Sequence, residues 1–337
     1  MSLLSICIPT YNRAAYLKAS LDSLVVQKRF HDIEVVVSDN ASTDETESVV
    51  RKFQEQFGNI VYFKNEKNVR DKNFPLVLMR ATGVFRKLCN DTILYQDGTV
   101  SYMLDIVSKN LTEKPVLFFL NGSSSVENDE VVCTALDDFV YTVSYFSTWI
   151  GGFGLWEQEC CNLSDGFSLC DSQLWQTHML LARFRESKKA YVSNKTIFKI
   201  NVVSNKDMSY GLFKIFHENY LNILLGYVES GMLSEKCFSY AKKDVLYRHF
   251  CSLLIPWELE RKKAKYGDED LKKLVFDSYK SEPYFPDFVK FYDEKTRKQI
   301  WKMRKINFLA GVKKTVSGSV LGKWLFYFKR KFRISFY

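Results

Sequence analysis

Asp91 is the one carboxylate in the run Arg86-Lys87-Leu88-Cys89-Asn90-Asp91-Thr92, which reads as the end of a buried strand passing into a small polar cluster. A carboxylate placed there can serve a hard, oxygen-seeking cation if a bound phosphate brings further oxygens. Asp39 has a similar setting, where the β-branched run Ile33-Glu34-Val35-Val36-Val37 turns polar at Ser38-Asp39-Asn40. Pro9-Thr10-Tyr11-Asn12-Arg13 follows a third apolar run, Leu3 to Ile8.

The elements between these clusters explain why they should converge. Strand-like runs at 3–8, 33–37, 60–63 and 84–89 alternate with helical spacing at Leu17, Leu21, Leu24 and Val25, then at Val49, Val50, Phe53 and Phe57. A further helix is expected over Phe74 to Arg80. This alternation implies an α/β fold with a mostly parallel sheet flanked by helices, and in such sheets ligands bind beyond the carboxyl ends of the strands. The residues at those ends are Pro9 to Arg13, Asp39-Asn40, Asn65 and Asn90-Asp91, all of a kind that a nucleotide site uses. Later, a helix over 100–108, a strand over 115–120 and a loop over 121–130 are expected. An aromatic, Gly-containing stretch from Phe139, a helix from Asp171 to Arg185, strands within 191–203 and a largely helical region from Leu212 follow.

The paired motifs Pro9-Thr10-Tyr11-Asn12-Arg13 and Ser38-Asp39-Asn40-Ala41-Ser42-Thr43-Asp44, each after an apolar strand, resemble those of family 2 glycosyltransferases of the GT-A fold. The resemblance covers roughly the first hundred residues. It implies a Rossmann-like catalytic domain, set at 1–211, and a helical C-terminal region at 212–337. It also implies a sugar nucleotide on the carboxyl edge of the sheet, with Pro9, Thr10, Tyr11, Asn12 and Arg13 along the base and ribose. Asp39 would accept from the base, as an acceptor-only group suits a ring N–H. Asn68 and Arg70, in Asn68-Val69-Arg70-Asp71-Lys72-Asn73, would face the nucleotide and its diphosphate.

Where the family carries an acidic cluster, this chain has Asn90-Asp91-Thr92. Asp91 is then the expected ligand of Mn²⁺ or Mg²⁺ and Asn90 a ribose contact, with His217 as a further candidate ligand. An inverting transfer needs a general base on the acceptor side. In Cys170-Asp171-Ser172-Gln173-Leu174-Trp175 that residue is expected to be Asp171, which equally suits a helix N-cap. Trp149, Trp156 and Trp175 suit either acceptor-sugar stacking or the core.

Composition narrows the classes. The chain has 337 residues, 46% of them hydrophobic and 26% charged, enough for a sizeable core. Its formal charge of +9 suits anionic partners. The basic residues gather toward the C-terminus instead of interleaving along strands, which argues against nucleic acid. Lys323 to Arg333 joins aromatic bulk to basic charge, the composition of a segment lying on an anionic membrane surface. Eight cysteines without a C-x-x-C pair, and a start that leads directly into a strand, favour a reducing cytoplasmic setting. Cys160, Cys161, Cys170 and His178 make poor zinc geometry, since two of the cysteines are adjacent.

The expectation is thus an inverting, metal-dependent glycosyltransferase on the inner face of the cell membrane. It would move a sugar from a nucleotide-diphosphate donor, UDP most often in the family, to a polyprenyl-diphosphate-linked saccharide in surface polysaccharide synthesis. Two alternatives stand beside it. One is a catalytically weak sugar-nucleotide-binding scaffold, suggested by the missing acids at 90–92. The other is a nucleotidyltransferase, which wants a glycine-rich loop that Pro9 to Arg13 does not supply.

Overall fold

The computed structural model describes residues 2–123, 128–201, 211–260 and 270–318. The first strand, β1 (Leu4–Thr10), is buried along its whole length, as expected of an apolar run covered on both faces. Helix α1 (Ala14–Val25) buries Leu17, Leu21 and Leu24 at the spacing read from the sequence. Then come β2 (Glu34–Asp39), α2 (Thr46–Gln54), β3 (Ile60–Lys64), α3 (Asn73–Arg80) and β4 (Phe85–Leu88). Each β–α pair was legible from periodicity alone.

Past β4 the strands have only three or four residues each. The elements are β5 (Ile93–Tyr95), α4 (Thr99–Lys109), β6 (Val116–Phe119), β7 (Glu130–Cys133), α5 (Leu136–Val143) and β8 (Gly154–Trp156). A 3-10 segment, Leu163–Ser172, leads to α6 (Trp175–Ser187), and β9 (Ala190–Ser193) and β10 (Phe198–Ile200) follow. The helix expected from Asp171 thus starts four residues later, with Leu174 in the N-cap position.

The main sheet has the order β3-β2-β1-β4-β8, parallel throughout except for β8, which runs antiparallel to β4. The order reverses at β1, so the crevice between the ends of β1 and β4 is the topological switch point where such sheets hold ligands. A detail of β1 opens it. The β1–β4 ladder runs through Phe85 N–H to Leu3 O at 3.1 Å and Cys89 N–H to Cys7 O at 2.8 Å. Next on that side stands Pro9, which has no N–H to give. Beyond Cys89 the ladder stops, while Thr10 still bonds toward β2 through Asn40 N–H at 2.9 Å.

Two buried contacts hold β4 in place. Gly83 donates its N–H to Ser5 Oγ at 2.8 Å, and a Cβ there would collide with Ser5, so only glycine permits the approach. Lys87 is fully buried, with Nζ donating to Leu88 O at 2.8 Å and to Gly151 O. Its ammonium lies over the rings of Phe119 and Phe198, and burial pushes its pKa down.

Two smaller sheets complete this unit: β5 with β10, antiparallel, and β6-β9-β7. Trp156 and Trp175 are enclosed in the core, with Trp156 Nε1 donating to Pro115 O at 2.7 Å, so they are packing residues. Helices α7 (Tyr220–Glu229) and α8 (Glu235–Asp244) close the first compact unit, which ends at Val245. Ser234 caps α8 by accepting from Cys237 N–H, and its hydroxyl bonds Asp137 of α5.

The second unit begins at Leu246 and holds α9 (Cys251–Glu260), α10 (Leu271–Tyr279) and α11 (Phe285–Gly318). Tyr279, Phe288 and Tyr292 are buried within it, and Phe276 meets Phe288 and Tyr292 edge-on. The C-terminal region is helical, as the sequence implied. Among the described residues, no helix is long and apolar enough to cross a membrane. The basic aromatic stretch 323–333 lies outside the described residues.

Candidate functional site

A cavity of about 620 Å³ opens at the switch point. Its wall includes Pro9 and Thr10 at the end of β1, Tyr11 and Arg13 from the loop after it, and Asp91 from the turn after β4. Asn40, Asn68, Arg70, Asp71, Asn73 and Phe74 close a second side, and Gln173 reaches it from before α6. Six residues singled out from the sequence as donor-binding therefore share one wall with the singled-out Asp91.

Asparagines build the second side. Asn40 Oδ1 accepts from Val69 N–H at 2.8 Å and from Asn65 Nδ2 at 3.0 Å, and Asn40 Nδ2 donates to Asn68 Oδ1 at 2.8 Å. Asn65 Nδ2 also donates to Asn73 Oδ1, which accepts from Ser38 Oγ at 2.6 Å. Arg80 completes the network, donating to Ser38 Oγ at 2.6 Å and Asn65 Oδ1 at 2.7 Å. A buried network with so many members satisfied fixes its loop rigidly. Arg70 adopts φ 52°, a left-handed conformation held by the bond from its N–H to Asn68 Oδ1 at 2.8 Å.

Asn12 and Asp44 tie the first side to the loop after β2. Asn12 N–H donates to Ser42 Oγ at 2.9 Å, and Asn12 Oδ1 accepts from Thr43 N–H at 2.8 Å. Asp44 accepts from Ala14 N–H at 2.9 Å and from the Thr46 hydroxyl at 2.5 Å and N–H at 3.1 Å. Desolvation pushes its pKa up, but these hydrogen bonds, the Thr46 hydroxyl first, together bring it below the ordinary value. Both side chains brace the loops that carry the wall, and neither lines it.

Asp39 lies behind the wall, fully buried. Its Oδ1 accepts from Ser42 N–H at 2.8 Å and its Oδ2 from Tyr62 OH at 2.6 Å. Burial, then the adjoining Asp39, pushes the Tyr62 phenol far up, so it remains a donor.

Asp91 is 2% exposed and faces the cavity. Thr10 Oγ1 donates to its Oδ2 at 2.9 Å, and Arg13 Nη1 to its Oδ1 at 3.1 Å. Burial pushes the carboxyl up, against the opposing pull of Arg13 and the Thr10 hydrogen bond. Asn90 has its Oδ1 buried without a hydrogen-bond partner and stands outside the wall.

These residues do not fit the divalent cation implied by the resemblance. Each Asp91 oxygen already accepts a bond, one of them from a guanidinium that fills the cationic place beside the carboxylate. His217, in the π-helical turn Lys214–Asn219, stacks on Phe213 with centroids 4.6 Å apart and is not in the wall. Among the described residues no group of three or more His, Cys, Asp or Glu could hold a metal ion. Seven of the eight cysteines are buried and Cys161 is exposed, all as free thiols.

The structure places Asp171, the expected general base, at the exposed end of the 3-10 segment, two residues before Gln173. Gln173 takes φ 59° and lines the cavity, as does Asp71. Burial pushes the Asp71 carboxyl up, with Arg70 opposing. Neither Asp71 nor Gln173 was singled out from the sequence. Asp71 did lie inside a motif already noted, and its neighbours Asn68 and Arg70 were the available signal. The turn that carries Asp71 packs against the 3-10 segment, and burial, followed by the nearby charge of Asp71, pushes the Cys170 thiol up to about 11.

The comparisons with known proteins agree with this geometry. Abequosyltransferase RfbV of Salmonella typhimurium is 43% identical over 84 residues, 24% of this chain and 25% of that protein. The GalNAc(5)-diNAcBac-PP-undecaprenol beta-1,3-glucosyltransferase of Campylobacter jejuni is 34% identical over 106 residues, 31% of this chain and 34% of that protein. The matched segments thus span a quarter to a third of these relatives' lengths.

Solved structures align over far more of the chain. S. aureus TarS 1-349 in complex with UDP gives a TM-score of 0.50 at 18% identity, covering 89% of this chain and 92% of that one. Mannosyltransferase PcManGT from Pyrobaculum calidifontis, in complex with GDP-Man and Mn2+, also gives 0.50, at 15% identity and with 89% and 87% coverage. The fold is that of the GT-A glycosyltransferases, a mostly parallel sheet with flanking helices and a helical C-terminal region. The model of glycosyl transferase family 2 matches residues 5–85, from β1 into β4, the segment that bears most of the cavity wall.

Proposed function

We propose that this chain is an inverting glycosyltransferase that takes a sugar from a nucleoside-diphosphate donor, a UDP-sugar first among them, and passes it to a lipid-linked saccharide. One observation carries the reading. Thr10, Arg13, Asn68, Arg70 and Asp91 meet in a single cavity at the carboxyl edge of the sheet, where a nucleotide's diphosphate finds two guanidinium groups. The relatives, an abequosyltransferase and a glucosyltransferase of a PP-undecaprenol saccharide, support a surface-polysaccharide substrate.

In this reading residues 1–211 hold donor and acceptor. Tyr11 and the Thr10 backbone border the base and ribose, with Asp39 behind them and Asn90 beside the ribose. Asp171, next to the Gln173 wall, deprotonates the acceptor hydroxyl. The region 212–337 serves attachment to an anionic membrane through its basic residues.

A thermal-shift screen of UDP, GDP, CDP and dTDP tests the donor site. Stabilisation by one of the four supports it, and none by any of them refutes it. The Arg13–Asp91 pair favours a second reading, donor binding without turnover. Donor-sugar hydrolysis that disappears in Asp171→Asn and Asp91→Ala separates the enzyme from the binding protein.

A further inference from the structure

We propose that Arg13, aimed by Asp91, neutralises the donor diphosphate in the place that related folds give to a divalent cation, with Arg70 as the second positive group. This rests on the donor-site reading above and deepens it.

The disagreement between the expected metal and the residues present motivates the proposal. Asp91 is the carboxylate on the β1–β4 side of the crevice, with Asp71 on the other side. It is flanked by the neutral Asn90 and Thr92, and each of its oxygens already accepts one hydrogen bond. A cation of charge two at Asp91 would have to displace Arg13 or sit against its positive charge. A guanidinium already there is always protonated and offers paired N–H groups that match phosphate oxygens.

The geometry suits that role. The Arg13 side chain is 34% exposed while Asp91 is 3% exposed, so the guanidinium keeps free donors on the cavity side. Arg70 lines the same wall on a backbone locked by the asparagine network. As the acceptor hydroxyl oxygen bonds to the anomeric carbon, the bond from that carbon to the diphosphate oxygen breaks and its electron pair stays on the diphosphate. The negative charge so formed is met by Arg13 and Arg70, and the acceptor's proton passes to the base.

The test measures equilibrium binding of UDP and of uridine to the full chain by calorimetry, in EDTA and in Mn²⁺. UDP affinity is expected to be the same within about twofold in the two conditions, whereas a metal bridge to phosphate is worth tenfold or more. Arg13→Gln is expected to weaken UDP about tenfold or more while leaving uridine unchanged, and Arg13→Lys to fall between. Asp91→Asn, measured in Mn²⁺, is expected to tighten UDP about threefold, since a carboxylate facing the phosphates is lost.

UDP binding that needs Mn²⁺ and is lost in Asp91→Asn overturns the proposal while leaving the donor site standing. So does an Arg13→Gln variant that loses uridine and UDP equally, because that marks a role in shape alone. A chain that binds none of UDP, GDP, CDP or dTDP in either condition overturns the donor site, and the proposal with it.

Discussion

Thr10 and Asp91, 81 positions apart, meet across the ends of β1 and β4, with Thr10 Oγ1 donating to Asp91 Oδ2 at 2.9 Å. This bond joins the two sides of the crevice and gives one oxygen of a buried carboxylate its donor. Thr10→Val keeps the shape and removes the donor. It is expected to cost about 1–3 kcal/mol in urea unfolding, since the carboxylate then lies buried and under-bonded. Thr10→Ser should recover most of the loss. Equal stability of Thr10→Val and the parent would show that water replaces the hydroxyl.

Tyr62 plays the matching part for Asp39. Its hydroxyl donates to Oδ2 at 2.6 Å while Ser42 N–H serves Oδ1, so both oxygens of a fully buried acid are occupied from within the protein. Tyr62→Phe is expected to destabilise by about 1–3 kcal/mol. In Asp39→Asn the same change should matter far less, because an amide can turn its own donor toward that side. A double-mutant cycle showing no coupling would mean that the hydroxyl and the acid do not depend on each other.

Glu159 gives the fold a pH dependence. Its side chain is 4% exposed, accepts from Trp156 N–H at 3.0 Å and is ion-paired with Arg183. Even so, burial outweighs the arginine and pushes the carboxyl up to about 7 from an ordinary 4.5. A raised carboxyl favours the folded state at low pH, so its contribution is full below about pH 4.5 and is lost as pH climbs through 7. Over that interval the loss is on the order of 3 kcal/mol. The melting temperature should therefore fall between pH 5 and pH 8 by about 4 °C or more, and Glu159→Gln should flatten that slope. A slope unchanged in Glu159→Gln would assign it to another group.

The first half of this molecule was legible because its strands are continuous apolar runs and its helices keep one period. β1 to β4 and α1 to α3 need no distant partner to be recognised, and polar residues at their ends mark the ligand edge. The short strands were not legible. Ile93–Tyr95 becomes a strand only by pairing with Phe198–Ile200, and Glu130–Cys133 is an edge strand with little apolar contrast. The site divides in the same way. Its backbone positions follow from strand ends, but side-chain pairing does not. That Arg13 reaches Asp91 and that Asn12 braces instead of lining depend on how side chains cross the crevice, whereas His217 turns to Phe213, four residues earlier in its own helical turn.

The proline at position 9 has a wider consequence. A sheet tends to zip its strands together for as long as donors and acceptors alternate, and a crevice at its edge survives only if something halts the zipper. Here the halt is a ring closed on a nitrogen, one residue before Thr10, and the same ring forms part of the cavity wall. The depth of the binding edge is therefore written into the backbone as a missing hydrogen, one position upstream of the groups that use the space.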